Sequence, residues 1–385
     1  MAEIHSIKFY PVGNGDTAQI ILCGGRRVLL DFCHRQKSED EYTPEIDLKK
    51  QLMEELITAR RDNFDVVAFT HADKDHIQGS TEFFELQHAT VYQGEGRIKI
   101  TELWVPAAML IEEAERDQQQ KEFVVLRQEA RYRLLEGKGI LVFSKKPQAV
   151  ADWLTPMLAA RGEPAGARDH LFVDAGTIVP GFTLEHDGVE FFSHSPFIRH
   201  CDEGDIIRNR AALVFNVRFR ADGNDYDFLA VGDAEWCDLE DIVSISKYHN
   251  NDDRLKWNLY NIPHHCSYTA LSDDKGDLET IPKPLVKELL LQGQPDAYLV
   301  SSSCPIPSSA SAYSEIQPPH IQARNCYERH LRDVGGRKFL VTMEEPNEKK
   351  PEPIVFEVAC GGITLQRSRM MGAPAIVSSV PPRAG

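Results

Sequence analysis

No stretch of about 18 uncharged apolar residues occurs in the 385-residue chain, so no transmembrane helix is expected. The opening MAEIHSIKFYPVGNGD lacks the basic-then-apolar order of a secretory signal. Cys-x-x-Cys pairs are missing as well. Eight cysteines are scattered at Cys23, Cys33, Cys201, Cys237, Cys266, Cys304, Cys326 and Cys360, a spacing that reads as free thiols of a reducing compartment. These absences predict a cytoplasmic protein without a membrane role. Basic residues are in short supply: 43 Lys and Arg against 59 Asp and Glu leave a net charge of −16. Such a chain repels phosphate backbones at long range, so any nucleic-acid substrate would need a local basic groove or a partner that supplies one.

What is present is ordinary for a folded protein. Hydrophobic residues make up 42% and charged residues 26%, which excludes collagen-like, low-complexity and wholly disordered classes. At about one domain per 150 residues the length allows two domains or one enlarged α/β domain. No fixed-period repeat and no Pro- or Ser-rich linker precedes about residue 371. A single unit over 1–370 and a mobile tail over 371–385 are therefore expected. Apolar, β-branched runs (IHSIKFYPV, TAQIILC, RRVLLDF) read as strands around a GNGD turn. Gly13, Gly15 and Ala18 fit G-x-G-x-x-A, but a strand pattern follows where a dinucleotide fingerprint needs a helix, so a tight turn is the better reading. Residues 46–61 carry an apolar stripe at helical spacing and feed the short strand FDVVAFT. From about 107 to 160 the pattern reads as a helical insertion. VEFFSH, AALVFNVRF, YDFLAVGD, WNLYNIPHH and DAYLVSSS are the later strand candidates.

Metal-capable side chains crowd the segment directly after FDVVAFT: His71, Asp73, Asp75 and His76 lie within six positions. A solvated charged turn would explain them alone. Three other strand candidates also end in such residues, namely His194, Asp233, and the doublet His264 and His265. In open α/β sheets sites form beyond the carboxyl ends of strands, so residues remote in sequence can meet there. The remaining histidines, His5, His34, His88, His170, His186, His249 and His330, sit singly among charged or loop residues and read as solvated.

The segments VGNGD, VLLDF, THADKDHIQGS, FFSHSP, NRAALVF, AVGDAEW and IPHHCS, with a weaker PPH before a helix, resemble the metallo-β-lactamase superfamily. The likeness is to its branch similar to the hydrolase domain of the DNA-uptake channel protein ComEC, and it runs in order over roughly residues 4–366. The resemblance implies an αββα sandwich, two mixed β-sheets packed face to face with helices outside, and a dinuclear metal site at one edge. His71, Asp73 and His194 would hold one ion. Asp75, His76 and either His264 or His265 would hold the other, with Asp233 bridging. Asp31, and Asp16 of VGNGD, would support the site without touching metal. Asp73 stands where the wider superfamily often has histidine. That makes the set richer in oxygen and moves the preference toward Mn²⁺ without excluding Zn²⁺. Cys33 and Cys266, where similar proteins often have glycine, read as small gap-fillers rather than ligands.

Two divalent ions about 3.5–4 Å apart would generate a bridging hydroxide and polarise the scissile group, so no serine or cysteine nucleophile is needed. Asp75 or Asp233 could orient the hydroxide, and Ser267 and His320 are candidates for substrate or leaving-group contact. Lys74, Arg199, Arg208 and Arg210 lie beside proposed ligands and could neutralise a phosphodiester, although a solvated rim would also explain them. The leading expectation is a metal-dependent phosphodiesterase or nuclease acting on nucleic acid or a nucleotide, alone or with a protein partner in DNA processing or defence. Hydrolysis of a small ester, lactone or cyclic nucleotide is the enzymatic alternative. A regulatory or scaffold protein that keeps the fold without turnover is the alternative of another class.

Overall fold

In the computed structural model, residues 4–40, 42–112, 121–197 and 211–366 are described. The tail expected from 371, and Arg199, Arg208 and Arg210, lie outside them. Two sheets form the frame. The first contains β1 (His5–Phe9), β2 (Ala18–Ile21), β3 (Arg27–Leu30), β4 (Asn63–Ala68), β5 (Lys99–Pro106), β6 (Ile140–Phe143), β7 (Phe172–Val173), β15 (Ile354–Ala359) and β16 (Gly362–Leu365), in the order β16-β15-β1-β2-β3-β4-β5-β6-β7. The second contains β8 (Thr177–Ile178), β9 (Val189–Ser195), β10 (Val214–Ala221), β11 (Asn224–Val231), β12 (Trp257–Ile262), β13 (Gly293–Ser301) and β14 (Lys338–Val341), in the order β14-β13-β12-β11-β10-β9-β8. Both are mixed: β1, β2 and β3 pair antiparallel and β3 to β7 parallel, while β9, β10 and β11 pair antiparallel and β11 to β14 parallel.

Alternation along each strand sends side chains to two faces, and the buried residues sort accordingly. Between the sheets, Val28, Leu30 and Trp104 of the first meet Phe191, Phe215, Val217 and Leu259 of the second. The neighbours in sequence, Leu29, Leu103 and Val105, turn the other way. They pack on α1 (Leu48–Thr58), α4 (Ala107–Ile111), α5 (Lys121–Glu136) and α6 (Gln148–Ala160), through Leu52, Leu110, Leu126 and Leu154 among others. On the far side Leu229, Tyr260 and Leu299 pack on α7 (Trp236–Tyr248), α8 (Pro284–Leu290) and α9 (Ile321–Asp333). Three apolar layers between four layers of structure make this an αββα sandwich, as the resemblance implied.

One local expectation is corrected. The 107–160 stretch is not wholly helical, because ILVF at 140–143 forms β6, fully buried and paired parallel with β5. α5 and α6 are thus the elements on either side of a sheet strand. None of the seven described cysteines forms a disulfide, and no helix among the described residues is long and apolar enough to cross a membrane.

Trp104 is the largest side chain in the inter-sheet layer, with ring centroids 5.3 Å from Phe191, 5.5 Å from Phe143 and 5.7 Å from Phe215. Trp104→Ala should lose about 3–5 kcal/mol of stability through the cavity it leaves, read as a lower urea midpoint at unchanged slope.

Candidate metal centre

The parallel halves of both sheets bring their carboxyl-terminal strand ends to one edge, and the site is built there. Beyond β3, Asp31 turns into the left-handed region (φ 56°) and its carboxylate clamps the segment beyond β4. It accepts from Thr70 N and Thr70 Oγ1, both at 2.6 Å, and from His76 Nδ1 at 2.7 Å. A carboxylate that takes the Nδ1 proton aims the other nitrogen, Nε2, away from itself. His265 is oriented in the same way, its Nδ1 donating to Ser302 O at 2.8 Å beyond β13. Asp31 is placed as the hydrogen-bonding partner of Thr70 and His76.

Asp16, His76, Asp233 and His265 converge, each offering a ligand atom within 4.8 Å of the others, and all four are buried. His76 Nε2 lies 3.2 Å from Asp233 Oδ1 and 3.8 Å from Asp16 Oδ2, while His265 Nε2 lies 3.0 Å from Asp75 Oδ2. On the other side of Asp233, its Oδ2 stands 4.0 Å from His71 Nε2 and 3.9 Å from His264 Nε2. His71 Nε2 is in turn 3.6 Å from Asp73 Oδ2. Asp233 thus meets His76 through Oδ1 and His71, His264 and His265 through Oδ2, with Asp75 beside His265 and Asp73 beside His71. The sequence left His264 and His265 as alternatives, and the structure brings both in, their Nε2 atoms 3.9 and 3.8 Å from Asp233 Oδ2.

Backbone shape makes this approach possible. A methyl group on Gly232 would stand 2.9 Å from Thr70 Oγ1, so glycine lets Asp233 reach the His71 turn. α7 starts just beyond, its first turn closed by a reciprocal capping box between Glu235 and Asp238. His264, His265 and Cys266 are all left-handed, with φ of 52°, 51° and 63°. For non-glycine residues this costs about 1–2 kcal/mol each, and strain of this kind clusters at functional sites.

Electrostatics couple the group. Burial opposes the charge of His76, but Asp233 and Asp31 outweigh it and hold the imidazole well above its usual range. Burial likewise opposes charge on His265, yet Asp233 and the hydrogen bond to Asp75 push it up to about 9. Asp233 is held well below the carboxylate range because the charge of His76 and His265 exceeds its burial penalty. For Asp75 the hydrogen bond from His265 and the charge of His76 overcome burial, and its carboxyl falls to about 2. Asp16 is raised, chiefly by burial. Even so, Asp16 Oδ1, His71 Nε2, His76 Nε2 and Asp233 Oδ1 are buried without a hydrogen-bond partner. Buried polar atoms are normally satisfied. Orphaned carboxylate and imidazole atoms gathered around Asp233 fit a divalent cation.

Several expectations are corrected. His194 does not join the centre. Alternation along β9 puts it on the helix side with Phe192, where Nε2 donates to Arg254 O at 3.0 Å and Nδ1 meets Ser246 Oγ of α7 at 3.3 Å. Asp16, expected only to support, is instead one of the four converging ligand types. Ser267 and His320 already have structural partners. Ser267 Oγ accepts from Thr269 N at 3.3 Å and meets Thr269 Oγ1 at 2.9 Å, and Thr269 Oγ1 lies 3.4 Å from His264 Nδ1. His320 is buried, meets Ile316 O at 3.2 Å and Tyr268 N at 3.4 Å, and packs edge-on against Tyr268. Their contacts steady the His264 loop rather than address a substrate. Lys74 is exposed beside Asp75. The thiols match the gap-filling reading, since burial pushes Cys33 up to about 12 and Cys266 higher still. His5, His34 and His330 are not solvated but buried, His34 meeting Glu39 at 3.1 Å and His330 donating to Cys326 O at 2.9 Å.

No family model and no curated protein matches the sequence. Among solved structures the chain is similar to a Parabacteroides distasonis protein named as a metal-dependent hydrolase, at 9% identity and a TM-score of 0.34, covering 86% of this chain and 90% of that one. It is also similar to a diphosphatase of the PhnP family, at 11% identity and a TM-score of 0.36, covering 93% and 99%. Likenesses of this degree say nothing about substrate, so the chemistry rests on the residues described above.

His194 supplies a pH test that is independent of any ion. Burial holds its pKa down to about 4, so the unfolded chain binds the proton first. The stability its neutral form contributes is complete above the unfolded value near 6.5 and is lost as pH falls from there toward 4. His194→Gln should flatten the decline in thermal midpoint between pH 6.5 and 4.5 relative to the parent.

Proposed function

We propose that this chain is a metal-dependent hydrolase and that the bond it cleaves is a phosphodiester. The observation that carries the reading is the convergence of Asp16, His76, Asp233 and His265 with orphaned buried atoms facing a common point. Asp16, Asp75, His76, Asp233 and His265 would hold one divalent ion, and His71, Asp73, His264 and the other oxygen of Asp233 a second. Ions bound there would supply Lewis acidity and a water acidic enough to attack near neutral pH.

The chain's own part is positioning. Asp31 and Ser302 fix which nitrogen His76 and His265 present, so these donors need no reorganisation. Asp73, Asp75 and His264, the more exposed members with side chains 36%, 33% and 25% accessible, open the centre to solvent. Substrate would enter there. The thiols of Cys33 and Cys266 stay protonated and Ser267 is engaged with Thr269, so covalent catalysis has no prepared nucleophile near the cluster. The strained His264–Cys266 run and the orphaned atoms argue against a scaffold with no bound ion, since each costs stability without serving the fold.

Purified protein should carry about two equivalents of Mn or Zn and hydrolyse bis(p-nitrophenyl) phosphate. Asp75→Ala and Asp233→Ala should lower kcat by at least about a hundredfold, and turnover persisting in both would remove the site. A second comparison separates the two ligand sets: Asp16→Ala should lose metal by elemental analysis, whereas His194→Gln should keep it. The reverse result would restore the arrangement the resemblance implied.

A further inference from the structure

Beside the metal centre, at Asp75, lies an open groove of about 600 Å³ lined by Asn14, Arg35, Gln36, Lys37, Lys74, Asp75 and Gln78. Every lining side chain is polar, and three are cationic in a chain of net charge −16. We propose that this groove is an anion subsite that holds a backbone phosphate of a single-stranded nucleic acid, at a position removed from the scissile one. The assignment of ligand rests on the phosphodiester reading above.

The residues support the assignment in three ways. The cations are held in place by the fold around them. Arg35 donates to Asn14 O and pairs with Glu45 at 3.3 Å, and Lys37 pairs with the same buried carboxylate at 2.7 Å. Asn14 is itself tied across the molecule, its Nδ2 donating to Pro318 O at 2.8 Å and its Oδ1 accepting from Cys304 N at 2.8 Å. One carboxylate shared by two cations leaves the floor with surplus positive charge. Lys74 adds to it, since no acidic side chain lies within ion-pair distance of its ammonium among the described residues.

Position comes next. Lys74 is adjacent in sequence to Asp75, whose carboxylate meets His265 at 3.0 Å, so the groove runs into the centre at Asp75. A strand with one phosphate at the ions would lay a neighbouring phosphate along Lys74 and Lys37. The third argument is chemical. With no aromatic side chain, the lining has no ring for a base to stack on. Ammonium, guanidinium and amide donors match the non-bridging oxygens of phosphate, which position a strand without reading its sequence. An acidic protein acting on nucleic acid needs such a local patch, because its overall field is repulsive.

The test uses EDTA-treated full-length protein, so that binding is read without turnover. A fluorescein-labelled eight-nucleotide DNA is titrated by anisotropy at several salt concentrations, against the parent and a Lys37→Ala/Lys74→Ala double variant whose thermal midpoint is checked. Single strands lose about 0.7 in salt slope per phosphate contact removed, so the variant should show a slope shallower by about 1.4 and affinity weaker by about tenfold at 0.1 M salt. Equal slopes and affinities for parent and variant, or no binding by the parent, would overturn the subsite. So would displacement by pyrophosphate at equal phosphate concentration, which would point to a compact anion instead. If DNA binds as expected but the loaded parent cleaves no phosphodiester, the subsite stands and the proposed reaction fails.

Discussion

The carboxylate of Asp233 cannot be buried alone. Removing an ion from water costs several kcal/mol even after relaxation, and a buried charge persists only when opposite charge and hydrogen bonds surround it. Here the surroundings are imidazoles at 3.2–4.0 Å, arriving from the ends of β4 and β12. Neither partner would keep its charge without the other, which is why His76 and His265 are raised while Asp233 is lowered. The balance is incomplete, because atoms on both sides of Asp233 still lack hydrogen-bond partners. A centre balanced in this way is prepared for added positive charge.

Rigidity at the centre comes from a few contacts outside it. Asp31 fixes Thr70 and His76 together, Ser302 fixes His265, and the Ser267–Thr269 pair reaches His264. Each of these groups sits where a parallel strand ends, so the positions of the donors are inherited from hydrogen-bonded sheet rather than from free loops. Left-handed backbone at His264, His265 and Cys266 is the local cost of bringing two consecutive imidazoles to one carboxylate.

Much of this was legible in the sequence, for physical reasons that also explain what was not. His71, Asp73, Asp75 and His76 announce themselves because four donors follow one apolar strand, and Asp233 and the histidine doublet because each ends another. His194 misled by the same logic. VEFFSHS is buried at every position, so nothing in its composition reveals which parity faces the centre and which faces α7. Asp16 was undervalued because a Gly-Asp turn is common, and its partners lie 60 to 249 positions away. The strand ILVF was hidden between two amphipathic helices, since a short, wholly apolar run has no period to read. The burial of His5, His34 and His330 follows from neighbours remote in sequence, which isolated positions in polar stretches could not disclose.

The central claim concerns where a cation sits, and a crystal soaked in Mn²⁺ with anomalous data tests it most directly. The account places a peak within about 2.0–2.3 Å of His76 Nε2, shared with Asp16, Asp233 and His265, and a second on the His71 side of Asp233. A peak at His194, or none between His76 and Asp233, would contradict it.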